Sequence, residues 1–137
     1  MKVVINDCFG GFGLFDMAIE MIMERKGFGC FRYKYDISNN KFVKCGESDK
    51  GLFSVVYYCT EDFGDMVKEL PDETRFEWCD IDRNDADLIE VVEKLGRKAD
   101  KGFSKLAIVK IPDDVEWEIC DYDGWESIHE KHRVWAA

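Results

Sequence analysis

The sequence predicts an α+β fold: one domain over 1–137, with a mixed, mostly antiparallel sheet of six to eight strands and three helices. Three observations carry this expectation. Short runs alternate apolar and polar residues with period two and are bounded by turn residues, the pattern of half-buried strands. Other segments repeat apolar residues at i, i+3, i+4 and i+7, the stripe of an amphipathic helix. Near the C-terminal end, Asp123-Gly124 separates two alternating runs, and such a pair favours a tight hairpin because both turn positions take positive φ.

Taken in order, Val3-Val4-Ile5 is a β-branched run suited to a buried strand. A glycine-rich turn, Asp7-Cys8-Phe9-Gly10-Gly11-Phe12-Gly13-Leu14-Phe15, leads to a helix that Asp16 can cap. Phe15, Ala18, Ile19 and Ile22 share one helical face, Met17, Met21 and Met23 widen it, and Gly27 ends it. Cys30 to Tyr35 alternates as a strand, with Phe31, Tyr33 and Tyr35 on one face. With Phe42–Cys45 and Leu52–Cys59 it reads as an antiparallel meander, turned at 38–41 and 46–51. Thr60 then caps a short helix carrying Phe63, Met66, Val67 and Leu70 and stopped by Pro71, although Gly64 weakens it. Phe76–Ile81 reads as a strand.

Asn84 opens the strongest helix, which runs to about Ala99. Its buried stripe is Leu88, Val91, Val92, Leu95 and Ala99, and Glu90–Lys94 and Glu93–Arg97 are favourable pairs. Lys105–Ile111 is a strand, stopped at Pro112. The hairpin follows, Val115–Tyr122 and Trp125 to about His132. A two-residue turn sets Tyr122 opposite Trp125, Glu118 opposite His129 and Glu116 opposite Lys131, and places Trp117, Ile119 and Ile128 on one face.

Charge narrows the classes of function. The net charge is −10; residues 61–93 hold 13 acidic and 3 basic groups, and residues 113–130 hold 8 acidic groups and no basic one. Such a surface repels nucleic acid and anionic membrane, and suits solvation or docking on a basic protein. No apolar run reaches membrane-spanning length, and the first residues lack a signal-peptide pattern. The six cysteines form no C-x-x-C pair, so no zinc site and no metal or other cofactor is expected, and the thiols are read as free in a reducing cytoplasm. A homo-oligomer is compatible with the same composition.

Three stretches could carry chemistry. In the loop Cys8–Phe15, Gly10, Gly11 and Gly13 could bare backbone N–H groups to an anion near a helix start, while Phe9 and Phe12 supply flat walls. The spacing G-G-x-G matches neither nucleotide fingerprint, so a tight turn over packed phenylalanines competes with a ligand role. Arg83 with Asn84 lies beside a helix N-terminus, as an anion ligand or as an ion pair with Asp82 or Asp85. In the C-terminal run, His132 and Arg133 could join an anion site, and Glu118 could orient His129 as a base. No serine-nucleophile motif is present.

Together these residues resemble a family of small uncharacterised proteins encoded by bacteriophages and prophages. The resemblance rests on three stretches: Lys2–Asn6 with Cys8–Leu14; Asp87–Glu93 with Leu95-Gly96; and Ile111–Ile119, Tyr122–Gly124 and His132–Trp135. Residues 28–80 fall outside it. It implies a phage origin and a host-cytoplasm setting, and no activity. The first functional expectation is a non-enzymatic phage accessory protein that sequesters a small anionic ligand, such as a host immune nucleotide signal. Its site would be Phe9, Gly10, Gly11, Phe12, Gly13, Arg83, Asn84, His132 and Arg133. The alternatives are an acidic inhibitor docking on a basic host protein, and a small hydrolase using His129 and Glu118.

Overall fold

A computed structural model of the chain describes residues 1–46 and 55–131. The fold is α+β, and every strand pair among the described residues is antiparallel. The chain divides into two compact units, one of Met1–Ala18 with Ile81–Ala137 and one of Ile19–Asp80, the division falling inside helix α1 (Asp16–Arg25).

In the first unit, β1 (Lys2–Asn6) pairs antiparallel with β6 (Leu106–Lys110), Val4 opposite Ile108. Helix α2 (Ala86–Leu95) and strand β8 (Trp125–Glu130) both pack on β1. Val3, Val4, Ile5 and Asn6 are therefore all buried, which is why the strand reads as a continuous apolar run. Leu88, Val91 and Val92 form the buried stripe of α2, and Ala99 closes it from a 3-10 turn at Gly96–Ala99. The cap of α2 is Asp85, one residue later than expected: its carboxylate accepts from Asp87 N and Leu88 N, both at 3.0 Å. Glu93 pairs with Lys2 across to β1 at 2.5 Å.

β7 (Trp117–Tyr122) and β8 form the hairpin in the expected register, Tyr122 opposite Trp125 and Glu118 opposite His129. Lys131 N donates to Glu116 O at 2.9 Å, extending the same register. Asp123 at φ 52° and Gly124 at φ 88° give the turn its positive-φ pair.

The second unit is a four-stranded sheet in the order β4-β2-β3-β5: β2 (Phe31–Asp36), β3 (Lys41–Lys44), β4 (Tyr57–Cys59) and β5 (Met66–Val67). Tyr33, Cys59 and Leu70 are its buried centre, with Phe31, Phe42, Tyr57, Phe63 and Val67 against them. Four expectations change here. Among the described residues the strands form three separate antiparallel sheets, of two, four and two strands, where one sheet was expected. The 31–59 stretch is no meander, because β4 pairs with β2 and leaves the far side of β3 to β5. The helix over 60–70 does not form, so two α-helices stand among the described residues where three were expected. Asp62 accepts Gly64 N at 2.8 Å, and the Tyr33 hydroxyl accepts Phe63 N and donates to Gly64 O, both at 2.9 Å. Those bonds hold Gly64 at φ 85°, outside the helical region, and release Met66–Val67 to pair with β3. Phe76–Ile81 is not a strand: after a bridge at Arg75 the chain turns into a 3-10 segment, Trp78–Asp80. The expected turn at 46–51, the start of the Leu52–Cys59 strand and the run from His132 lie at least partly outside the described residues.

Candidate functional site

The glycine-rich loop leaves the end of β1, where Asn6 is completely buried. Its side-chain amide donates to Cys8 O and to Gly124 O, both at 2.8 Å, and its carbonyl accepts Lys105 N at 2.7 Å. One side chain thus ties the loop, the hairpin turn and the start of β6. Nothing but such a three-way demand explains a polar residue at the end of an apolar strand, since each unmet bond would cost about 1–3 kcal/mol.

The hairpin turn lies directly on the loop. A Cβ at Gly124 would sit 2.6 Å from Phe9 O and 2.7 Å from Gly11 N, so no larger residue fits there. Gly10 is equally pressed: its Cβ would meet Phe103 O at 2.0 Å. The Cys8 thiol donates to Phe103 O at 2.7 Å, and Gly10 N turns back to Cys8 Sγ at 3.4 Å. Downstream, Gly13 O accepts from Ser104 Oγ at 3.1 Å, and Phe15 N donates to Ala99 O at 2.9 Å.

Arg83 is the electrostatic centre beneath this loop. Its two terminal nitrogens clasp Glu126 side by side, at 2.7 and 2.9 Å, and Nη1 also donates to Val4 O at 3.3 Å. The guanidinium carbon lies 3.5 Å from the centre of the Phe12 ring. Glu126 is only 6% exposed and also accepts Asn6 N at 2.7 Å. The pair expected with Asp82 or Asp85 is therefore made instead with a residue 43 positions on. The hairpin register carried the signal: alternation places Glu126 on the same face as Ile119 and Ile128, and a carboxylate on an apolar face needs a cation.

What the loop presents outward is aromatic. Phe9 is 55% exposed and meets Trp125 edge-on, centroids 4.7 Å apart at 85°, with Tyr122 at 6.3 Å and 62°. Trp125 is 43%, Tyr122 76% and Phe103 84% exposed. Trp125 Nε1 donates to Asp7 at 3.0 Å, and Asp121 accepts Gly124 N at 2.7 Å, so carboxylates edge the ring cluster.

No family model, no curated protein and no solved structure matches the chain.

The remaining predicted groups divide plainly. Phe9, Gly10, Gly11, Phe12, Gly13 and Arg83 do gather at one place. Asn84 does not cap α2, and its amide reaches Met1 Sδ at 3.6 Å. His132 and Arg133 lie outside the described residues. His129 Nε2 is 2.9 Å from Ser127 Oγ, a partner its i, i+2 spacing on one strand face allows, with Glu118 opposite in register. That row is exposed to solvent, where a hydroxyl–imidazole bond exchanges freely with water. No group of three metal-ligating side chains occurs among the described residues, and no helix among them is long and apolar enough to cross a membrane.

Proposed function

We propose that this is a binding protein that docks on a basic surface of a partner protein, through the aromatic cluster at its hairpin tip. The reading rests on one observation: Phe9, Phe103, Tyr122 and Trp125 stand exposed around a turn that is locked from within. Aromatic side chains on a rigid support are the usual energetic centre of protein interfaces, because they bury much area and lose little rotamer freedom. The acidic stretch 113–130 supplies the complementary charge, and arginine or lysine stacked on Trp125 or Tyr122 would meet both features at once. The resemblance to phage-encoded proteins gives a setting for this proposal, in which the partner is a basic host protein.

The small-anion reading of the same loop stands second. An anion there must displace Glu126 from Arg83 and leave a carboxylate buried without its cation. The hydrolase reading stands third, on the Ser127–His129 contact alone.

The test uses a nine-arginine peptide and calorimetry. Binding is expected, weakened at least about tenfold in the double variant Tyr122→Ser/Trp125→Ser. Glu116→Lys/Glu118→Lys is expected to weaken it and to flatten its salt dependence. A peptide that binds the aromatic double variant as tightly as the unaltered protein removes the proposal.

A further inference from the structure

In the second unit, β4 and the segment Thr74–Phe76 run as a short antiparallel ladder. Thr60 N donates to Thr74 O at 2.8 Å and Phe76 N to Tyr58 O at 2.7 Å, around the Cys59–Arg75 bridge. The ladder then stops, because the chain after Phe76 turns into the 3-10 segment Trp78–Asp80, closed by Asp80 N on Glu77 O at 3.1 Å. Where the two strands part there is a cavity of about 160 Å³, lined by Val55–Tyr58 on one side and Arg75–Trp78 on the other.

Two features of this fork point to an occupant. Its walls include Tyr57, Tyr58, Phe76 and Trp78, flat surfaces suited to a ring. Arg75 lines it too, and its Nε is buried with no hydrogen-bond partner among the described residues. A buried guanidinium N–H without a partner is costly, so native chains rarely leave one unless something outside the chain takes the bond. The rest of the guanidinium is lightly held. Nη1 lies 3.7 Å from Asp72, whose side chain is 96% exposed, and the carbon stands 5.4 Å from the Tyr57 ring centre. Only Nη1 has a carboxylate near it, and that one at 3.7 Å. A guanidinium with donors to spare pairs well with a planar carboxylate.

We infer that the fork between β4 and the Arg75–Trp78 segment is a binding site for a small planar aromatic carboxylate, its carboxylate on Arg75 and its ring between the aromatic walls. The cavity is of the size that encloses a single six-membered ring, for which about 150 Å³ is enough. This site is independent of the docking surface proposed above.

Benzoate is the probe, with benzyl alcohol as the uncharged analogue and inorganic phosphate as the ringless anion. Each is titrated into the whole protein and followed by amide shifts and calorimetry. Saturable benzoate binding is expected, with shifts centred on Tyr58, Arg75, Phe76 and Trp78. Benzyl alcohol and phosphate should each bind at least about tenfold more weakly, the loss of a charge-assisted pair or of the ring contacts. Arg75→Gln should abolish the preference for benzoate over benzyl alcohol. The inference is overturned if benzoate does not saturate, if either analogue binds equally well, or if the shifts fall elsewhere. The comparison of the three probes on the unaltered protein decides the matter even if Arg75→Gln does not fold.

Discussion

Two arginines in this chain meet opposite fates. Arg83 lies under the glycine-rich loop with both terminal nitrogens on Glu126, a third bond to Val4 O and a phenylalanine ring across its face. Arg75 lies at the fork beside β4 with one loosely held nitrogen and a buried Nε that no described group accepts. By sequence, Arg83 was either an anion ligand or an ion pair with Asp82 or Asp85, and Arg75 carried no expectation. A motif nominates a place, and hydrogen-bond accounting decides its role. A guanidinium whose donors are met by its own fold holds that fold together, and one left wanting is open to a ligand.

The heaviest loss should come from the Arg83 pair. Glu126→Gln leaves that charge without its partner under the loop, and should cost about 4 kcal/mol of stability in denaturant unfolding. Arg75→Gln, which removes only the exposed contact to Asp72 and the stacking on Tyr57, should cost about 1 kcal/mol or less. Equal losses would erase the distinction. Next comes Asn6→Ala, which strands Lys105 N, Cys8 O and Gly124 O at once; a loss of about 3 kcal/mol is expected. Amide exchange in that variant should rise in the loop and the hairpin turn together, since one side chain ties both.

A smaller effect separates Asp85 from its neighbour. Asp85→Ala should cost about 1 kcal/mol through the cap of α2, and Asn84→Ala close to nothing. Smallest is an exposed pair in the second unit. The Lys44 ammonium, 2.6 Å from Asp62, holds that carboxyl below its usual range with help from Gly64 N–H, and Asp62 in turn raises Lys44. The depressed Asp62 contributes above its unfolded pKa and loses that contribution as pH falls through its folded pKa. The raised Lys44 contributes below its unfolded pKa and loses it as pH rises through its folded pKa. Asp62→Asn should therefore flatten the stability profile at both ends, and salt should shrink the difference. Cys59, whose thiol burial pushes up against the opposing pull of Arg75, should be alkylated far more slowly than exposed Cys79.

What could be read from the chain follows the range of the forces involved. The hairpin register was legible because Asp123-Gly124 settles it within two residues, and the stripe of α2 because its period is local. The helix expected over 60–70 was lost to the Tyr33 hydroxyl, which reaches across 30 residues to Phe63 N. The single sheet expected gave way to three among the described residues because pairing partners such as β1 and β6 meet only in the folded chain. At the site, the Arg83 guanidinium stacks on Phe12 of the loop. Glu126, which decides what Arg83 is for, was hidden among eight acids of one segment, and only its position on the apolar face set it apart.

The decisive measurement is a pair of amide-resolved titrations of the loop and hairpin tip, one with ADP-ribose and one with the nine-arginine peptide. The peptide should shift the Trp125 indole N–H and the amides of Phe9, Phe103 and Tyr122, while ADP-ribose leaves Gly10, Gly11 and Gly13 unmoved. Saturable ADP-ribose shifts on those glycines, with the aromatic cluster indifferent to the peptide, would contradict the docking role and return the loop to an anion.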